Sequence, residues 1–175
     1  SATLAVLGYA DTGGRGLIAA SDDTGACTEY VFGDGMISEV TSGAIADGSW
    51  GAKPSPSAEL QAAWEVVATA GGVDGSGVYS GESYDAMALI ILAAQAAGST
   101  DRAAIQAEVM NVANAPGNKC HAGKLGECLK MISGGLPVDY VGATGVELDA
   151  VGTPNGSYAE QEVIAGAFTT VTVHN

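Results

Sequence analysis

Basic residues are scarce in this chain of 175 residues: six Lys and Arg stand against twenty Asp and Glu, for a net charge of −14. A nucleic-acid partner is excluded on that balance, because affinity for phosphate backbones comes mainly from cationic side chains. An anionic membrane surface is disfavoured for the same reason. Charged residues make up only 15% of the chain, histidine occurs twice and cysteine three times. The longest apolar run, Ala86–Ala94, is about half of what a bilayer span needs. No basic segment opens the chain as a secretion signal would; it starts directly on a strand-like run, so we expect a fragment or processed product of a longer protein. What is abundant is apolar residues, at 47%, and glycine, at 26 positions. Such a composition belongs to a globular chain with many turns, long enough to bury roughly 70% of its unfolded surface.

Thr3–Tyr9 is a short apolar run stopped by turn residues, which reads as a buried parallel strand. A helix containing Leu17 and Ile18 and ending near Gly25 follows, then a strand at Glu29–Phe32 stopped by Gly33-Asp34-Gly35. Strand, helix and strand in this order form a βαβ unit. Residues 41–56 read as irregular, with one short strand near Trp50. Ser57 is placed to cap a helix to Ala70 that buries Leu60, Trp64 and Val67. Ser83-Tyr84-Asp85 opens an apolar helix to Ala97, expected to be buried on most sides, and Thr100-Asp101 caps another through Val112. A short helix at 125–132 and strands at 142–149 and 158–173 complete the reading. The fold class is α/β with a mostly parallel sheet and flanking helices.

Catalytic motifs are scarce. There is no GxSxG, and the two histidines are His121 and His174, the latter one residue from the end. Gly13-Gly14-Arg15-Gly16 lacks the lysine of a phosphate loop and reads as a helix-entry turn. Asp149–Gly156 lacks oxygen ligands at alternate positions and reads as a hairpin turn, not a calcium loop. Cys120 and Cys128 lie eight apart in a glycine-containing stretch. Two readings stand: a disulfide closing a small loop, worth roughly 2–3 kcal/mol, or a metal site with His121. The second needs a further ligand and lacks the usual CxxC spacing, so the disulfide is preferred and no metal or cofactor is assigned. Cys27 is left over as a buried thiol.

Polar residues at strand ends carry the remaining chemistry. Tyr9 and Asp11 follow the first strand, and Asp34 follows the second between two glycines. Open α/β sheets bind ligands outside the carboxyl ends of their strands, where the Asp34 carboxylate could take a ligand ammonium. The plain alternative is an Asp-Gly turn. Tyr79, Glu82 and Tyr84 cluster before the apolar helix, as pocket or as packing residues.

Gly8-Tyr9-Ala10-Asp11, Gly25 and Phe32–Met36 resemble the second lobe of type I periplasmic binding proteins, the family of the Leu/Ile/Val-binding proteins of branched-chain amino-acid ABC transporters. Ser76–Ala86, Ala97–Ile105 and Asp139–Gly145 with Leu148-Asp149 are similar to later segments of that family, in order and at its spacing. The resemblance implies the C-terminal half of a two-lobed receptor that closes on a small ligand outside the cytoplasm and delivers it to an ABC permease, without catalysis. It further implies a second-lobe part at 1–75, helices at 76–138 that pack on a first lobe outside this chain, and strands returning to the second lobe at 139–175. By the same resemblance Asp34 falls on the acidic residue that binds the α-ammonium, and Tyr79 on a ligand-contacting tyrosine. A third family tyrosine aligns with Ala10, a departure for which neighbouring Tyr9 or Asp11 substitutes; the ligand implied is therefore an amino acid or a similar small polar molecule. Two other functions share parts of this reading: a ligand sensor of a signalling system with the same fold, and an α/β enzyme using Asp34 as base. Helices that expect a first lobe would expose apolar surface, so self-association of the piece is expected.

Overall fold

The computed structural model describes residues 2–37 and 43–174. They form two compact units, residues 1–55 with 157–175 and residues 56–156, so the chain leaves the first unit once and returns to it. These boundaries differ from the division at 75/76 and 138/139 read from the sequence. Residues 41–42, the start of the stretch expected to be irregular, lie outside the described residues.

The first unit is a five-stranded sheet of order β1-β2-β3-β6-β7, made of β1 (Ala2–Val6), β2 (Cys27–Phe32), β3 (Trp50–Pro54), β6 (Tyr158–Ile164) and β7 (Ala167–His174). The first three strands are parallel; β6 and β7 add antiparallel. Between β1 and β2 runs α1 (Gly14–Thr24), entered through Gly13 at φ 115° and ended by Gly25 at φ 62°, the left-handed geometry that glycine adopts without penalty. Ile18 packs with Val6, Tyr30, Phe32, Met36 and Val163, and the Phe32 and Phe168 rings meet edge to face at 5.4 Å. The sheet is parallel where expected, but β1 is an edge strand and not a buried one. Among the described residues it has a neighbour on one side only, and alternation leaves Thr3, Ala5 and Leu7 exposed while Val6 is buried. Cys27, expected to be buried, is free and only partly covered at the start of β2.

The second unit holds α2 (Ala58–Ala70), α3 (Ser80–Ala97), α4 (Arg102–Ala113), β4 (Asn118–His121), α5 (Leu125–Ser133) and β5 (Val138–Gly142). Ser57 caps α2 by accepting the Leu60 N–H, and Asp101 caps α4 by accepting from Ala103 and Ala104. In α2, Trp64 is buried whereas Leu60 and Val67 are only partly so. Strand β4, helix α5 and parallel strand β5 make a small βαβ unit, and the Cys120–Cys128 disulfide ties its first strand to its helix. With the two sulfurs joined to each other, the alternative of a metal held by this pair and His121 falls away.

Three sequence expectations are corrected here. Helix α3 begins at Ser80, not Ser83, because Ser80 donates its amide to the Gly77 carbonyl and receives the Trp64 indole N–H on its hydroxyl. One face of α3 is buried, through Ala88, Leu92 and Ala93 against α4, α5 and β5, but Met87, Ile90 and Ile91 are 57%, 48% and 38% exposed. No described element of this unit covers that second face. The strand expected at 142–149 lies instead at 138–142, where four of five residues are buried, Asp139 among them. Gly142, at φ 64°, ends it against the Asp85 carboxylate; beyond it Leu148 forms an isolated bridge to Pro154, its backbone held by the Asn114 side chain. The Asp149 carboxylate accepts the Val151 and Thr153 amides inside that turn, so it is consumed locally, as a hairpin reading requires.

Candidate functional site

In the first unit, the loops after β1 and β2 run side by side at the carboxyl ends of two adjacent parallel strands. Gly33 donates its amide to the Val6 carbonyl at 3.2 Å, which sets the β2 loop beside the β1 loop. Gly35 comes closer still: a β-carbon there would lie 2.6 Å from the Gly8 carbonyl oxygen and 2.8 Å from Cδ1 of Tyr9. Asp34 is thus next in sequence to the glycine that meets Tyr9. Asp34 begins a short 3-10 turn through Met36 and is exposed, with one carboxylate oxygen on the Gly35 amide at 2.9 Å. The other oxygen has no bond from a described residue and is open to a ligand cation. Tyr9 is 70% exposed. Asp11 is exposed too and lies 3.7 Å from the Arg15 guanidinium one turn on. Ala10, between them, is buried in the core with Ile18 and Met36. Its methyl group belongs to packing, which leaves Tyr9 and Asp11 as the side chains this loop presents.

The second unit carries Tyr79. It is the residue before α3 and has a left-handed backbone at φ 63°, ψ 12°, unusual for a bulky side chain and characteristic of sites where surroundings impose a conformation. Its carbonyl accepts the Ser83 amide at 2.9 Å, and its side chain is half-exposed.

Between α3 and the end of β5 lies a buried polar hub that the sequence reading passed over. Asp85 is 3% exposed, and its carboxylate takes four hydrogen bonds: the Tyr140 hydroxyl and Ala143 amide at 2.8 Å on one oxygen, the Thr144 amide at 2.9 Å and hydroxyl at 2.7 Å on the other. Burial, reinforced by the neighbouring Asp85 charge and hydrogen bond, pushes the Tyr140 hydroxyl well above its ordinary titration range. Tyr140 therefore stays a donor at any physiological pH. A lone carboxylate inside an apolar helix, as in Ser83-Tyr84-Asp85-Ala86-Met87, was the available signal, since such a group is buried only when its bonds are met.

A second buried carboxylate, Asp139, pairs with Lys119 across β4 and β5 at 2.7 Å, a hydrogen bond that raises the lysine's pKa. Away from the strand ends, the sheet face of the first unit turned from its core carries a trough of about 540 Å³, lined by Trp50, Tyr158, Glu160, Glu162 and His174. Tyr9, Asp11 and Asp34 do not line it. Among the described residues no group of three or more His, Cys, Asp or Glu is arranged to hold a metal ion, and no helix is long and apolar enough to cross a membrane.

The architecture defines the class: an α/β fold of the periplasmic-binding-protein type, with a mostly parallel sheet and flanking helices. Two solved structures share it. A leucine-binding protein LivK from Thermotoga maritima is 18% identical with a TM-score of 0.61, covering 99% of this chain and 44% of its own. An ABC transporter substrate-binding protein from Desulfitobacterium hafniense is 17% identical with a TM-score of 0.51, covering 95% of this chain and 43% of its own. The chain thus spans less than half the length of either. No protein-family model and no curated protein matches the sequence.

Proposed function

We propose that the chain is the C-terminal part of an extracytoplasmic solute-binding receptor that supplies an ABC permease, and that its ligand is an α-amino acid or a similar small zwitterion. The observation that carries the reading is that the loops bearing Asp34 and Tyr9 meet at Gly35, at the carboxyl ends of two adjacent parallel strands, in a fold shared with a leucine-binding protein. Asp34 would take the ligand ammonium and Tyr9 would offer its ring to the apolar portion; Tyr79, in the second unit, is proposed as a ligand contact on the family resemblance alone. Asp11 would contribute at the rim of the β1 loop.

The carboxylate-binding part of such a pocket belongs to sequence outside the chain, in keeping with the share of length covered. In this reading the first unit lies in the second lobe, and α3 and α4 pack on the first. The exposed Met87, Ile90 and Ile91 support that placement, and they make self-association of the isolated piece the expected outcome. The role proposed is binding without catalysis, as the names of the two solved binding proteins that share the fold suggest.

Isothermal titration of the longest natural form of the protein with L-leucine and a panel of α-amino acids tests the proposal. Binding that depends on the α-ammonium is expected; a ligand that binds equally well without its amine removes Asp34 from the role.

A further inference from the structure

A tyrosine at φ 63° keeps that conformation only where its neighbours over-determine it. Asp85 is one restraint, clamping the second turn of α3 to the end of β5. A second restraint begins at the disulfide. The loop closed by Cys120 and Cys128 contains Gly123, whose amide donates to the Tyr84 hydroxyl at 3.0 Å. The Tyr84 ring lies 4.9 Å from that of Trp64, and Ala122 of the same loop packs, like Tyr84, on the cluster of Trp64, Ala68 and Ala143. Trp64 donates its indole N–H to the Ser80 hydroxyl at 3.1 Å, and Ser80 in turn reaches the Asp74 carbonyl at 3.3 Å. Ser80 is the residue next to Tyr79.

We propose that the disulfide-closed loop is a brace for the ligand-binding site: through Gly123, Tyr84 and Trp64 it fixes the backbone at Tyr79, so that ligand affinity depends on the Cys120–Cys128 bond and on the Tyr84 hydroxyl. This rests on Tyr79 being a ligand contact. Tyr84 is then a positioning residue that acts through Trp64 and Ser80. Both cysteines are 1% exposed, so the bond is a fixed part of the fold and not a surface site of thiol exchange. A half-exposed aromatic side chain on a left-handed backbone has few contacts of its own to hold it, so the neighbouring Ser80 anchor matters more than it would within a regular helix.

The test uses the longest natural form of the protein, with Tyr84→Phe and with the double variant Cys120→Ala, Cys128→Ala. Tyr84→Phe keeps the ring on Trp64 and removes only the acceptor for Gly123, so it is expected to remain folded. The readouts are the backbone 13C resonances of Tyr79, which report its φ and ψ, and the affinity for L-leucine. Both variants are expected to move the Tyr79 resonances away from left-handed values and to weaken L-leucine binding by about tenfold, and the three changes together should cost no more than the cysteine pair alone. Unchanged Tyr79 resonances in Tyr84→Phe, or effects that simply add, overturn the brace. A wild-type protein that does not bind L-leucine or any other α-amino acid, yet whose Tyr79 resonances respond to Tyr84→Phe, overturns the claim on affinity and places the failure in the ligand reading.

Discussion

Gly35 and Tyr9 approach so closely that a β-carbon on Gly35 would lie 2.8 Å from the Tyr9 ring. The absence of a side chain at position 35 is what lets the loops after β1 and β2 meet, one residue from Asp34. Gly35→Ala must push the β1 loop aside, because one of the atoms it meets is the Gly8 carbonyl. We expect a loss of about 1–3 kcal/mol in thermal unfolding, as for other overpacked positions, together with weaker binding of L-leucine. Unchanged stability and affinity would show that the two loops are free to separate.

Asp34 is exposed and stabilises little of the fold, so its replacement separates binding from folding. Asp34→Ala is expected to lose roughly 2–5 kcal/mol of amino-acid binding, the cost of leaving a ligand ammonium without its partner, while the melting temperature of the ligand-free protein stays within a degree or two. Calorimetry of the variant against the parent checks both halves.

Asp85 should behave in the opposite way. Removing its carboxylate strands the Tyr140 hydroxyl and the Ala143 and Thr144 amides in the interior, at about 1–3 kcal/mol for each buried donor left unpaired. Asp85→Ala is expected to lower stability by about 3 kcal/mol or more in denaturant unfolding. A loss below about 1 kcal/mol would mean that the hub is not closed.

Alkaline stability follows from the same residues. Tyr140 and Lys119 both have pKa values raised above their ordinary 10.0 and 10.5, by burial and by the Asp139 hydrogen bond respectively. A raised pKa means that the folded state holds the proton more tightly than the unfolded state does. The contribution is therefore complete below about pH 10 and is lost as pH rises above it. Unfolding midpoints should fall between pH 10 and 12, less steeply in Tyr140→Phe; a flat profile in the parent would contradict the assignment.

Legibility in the sequence varied with how local the determining physics is. Helix caps at Ser57 and Asp101, the glycine ends of α1 and the break after α4 depend on a few adjacent residues and were readable. The disulfide was readable from spacing and loop composition. Less so was the edge position of β1, because a strand's neighbours are a property of the whole sheet. The strand at 138–142 was missed because Pro137 and Gly142 bracket only four residues, too few for a period to show. At the site, Asp34 and Tyr9 each stood out as polar residues at strand ends, but their juxtaposition depends on Gly35 and is visible only in three dimensions. The Asp85 hub joins residues up to 59 positions apart and could be suspected only from an acid within an apolar helix.

The most direct test of the central claim is a thermal-unfolding screen of the longest natural form of the protein against α-amino acids, their amides and their deaminated carboxylic acids. A ligand at 100 times its Kd stabilises by about 2.7 kcal/mol, which is readily seen. The account predicts stabilisation by at least one α-amino acid that disappears both on deamination of the ligand and in Asp34→Ala. Stabilisation by the deaminated acid alone, or by no zwitterion at all, would contradict it.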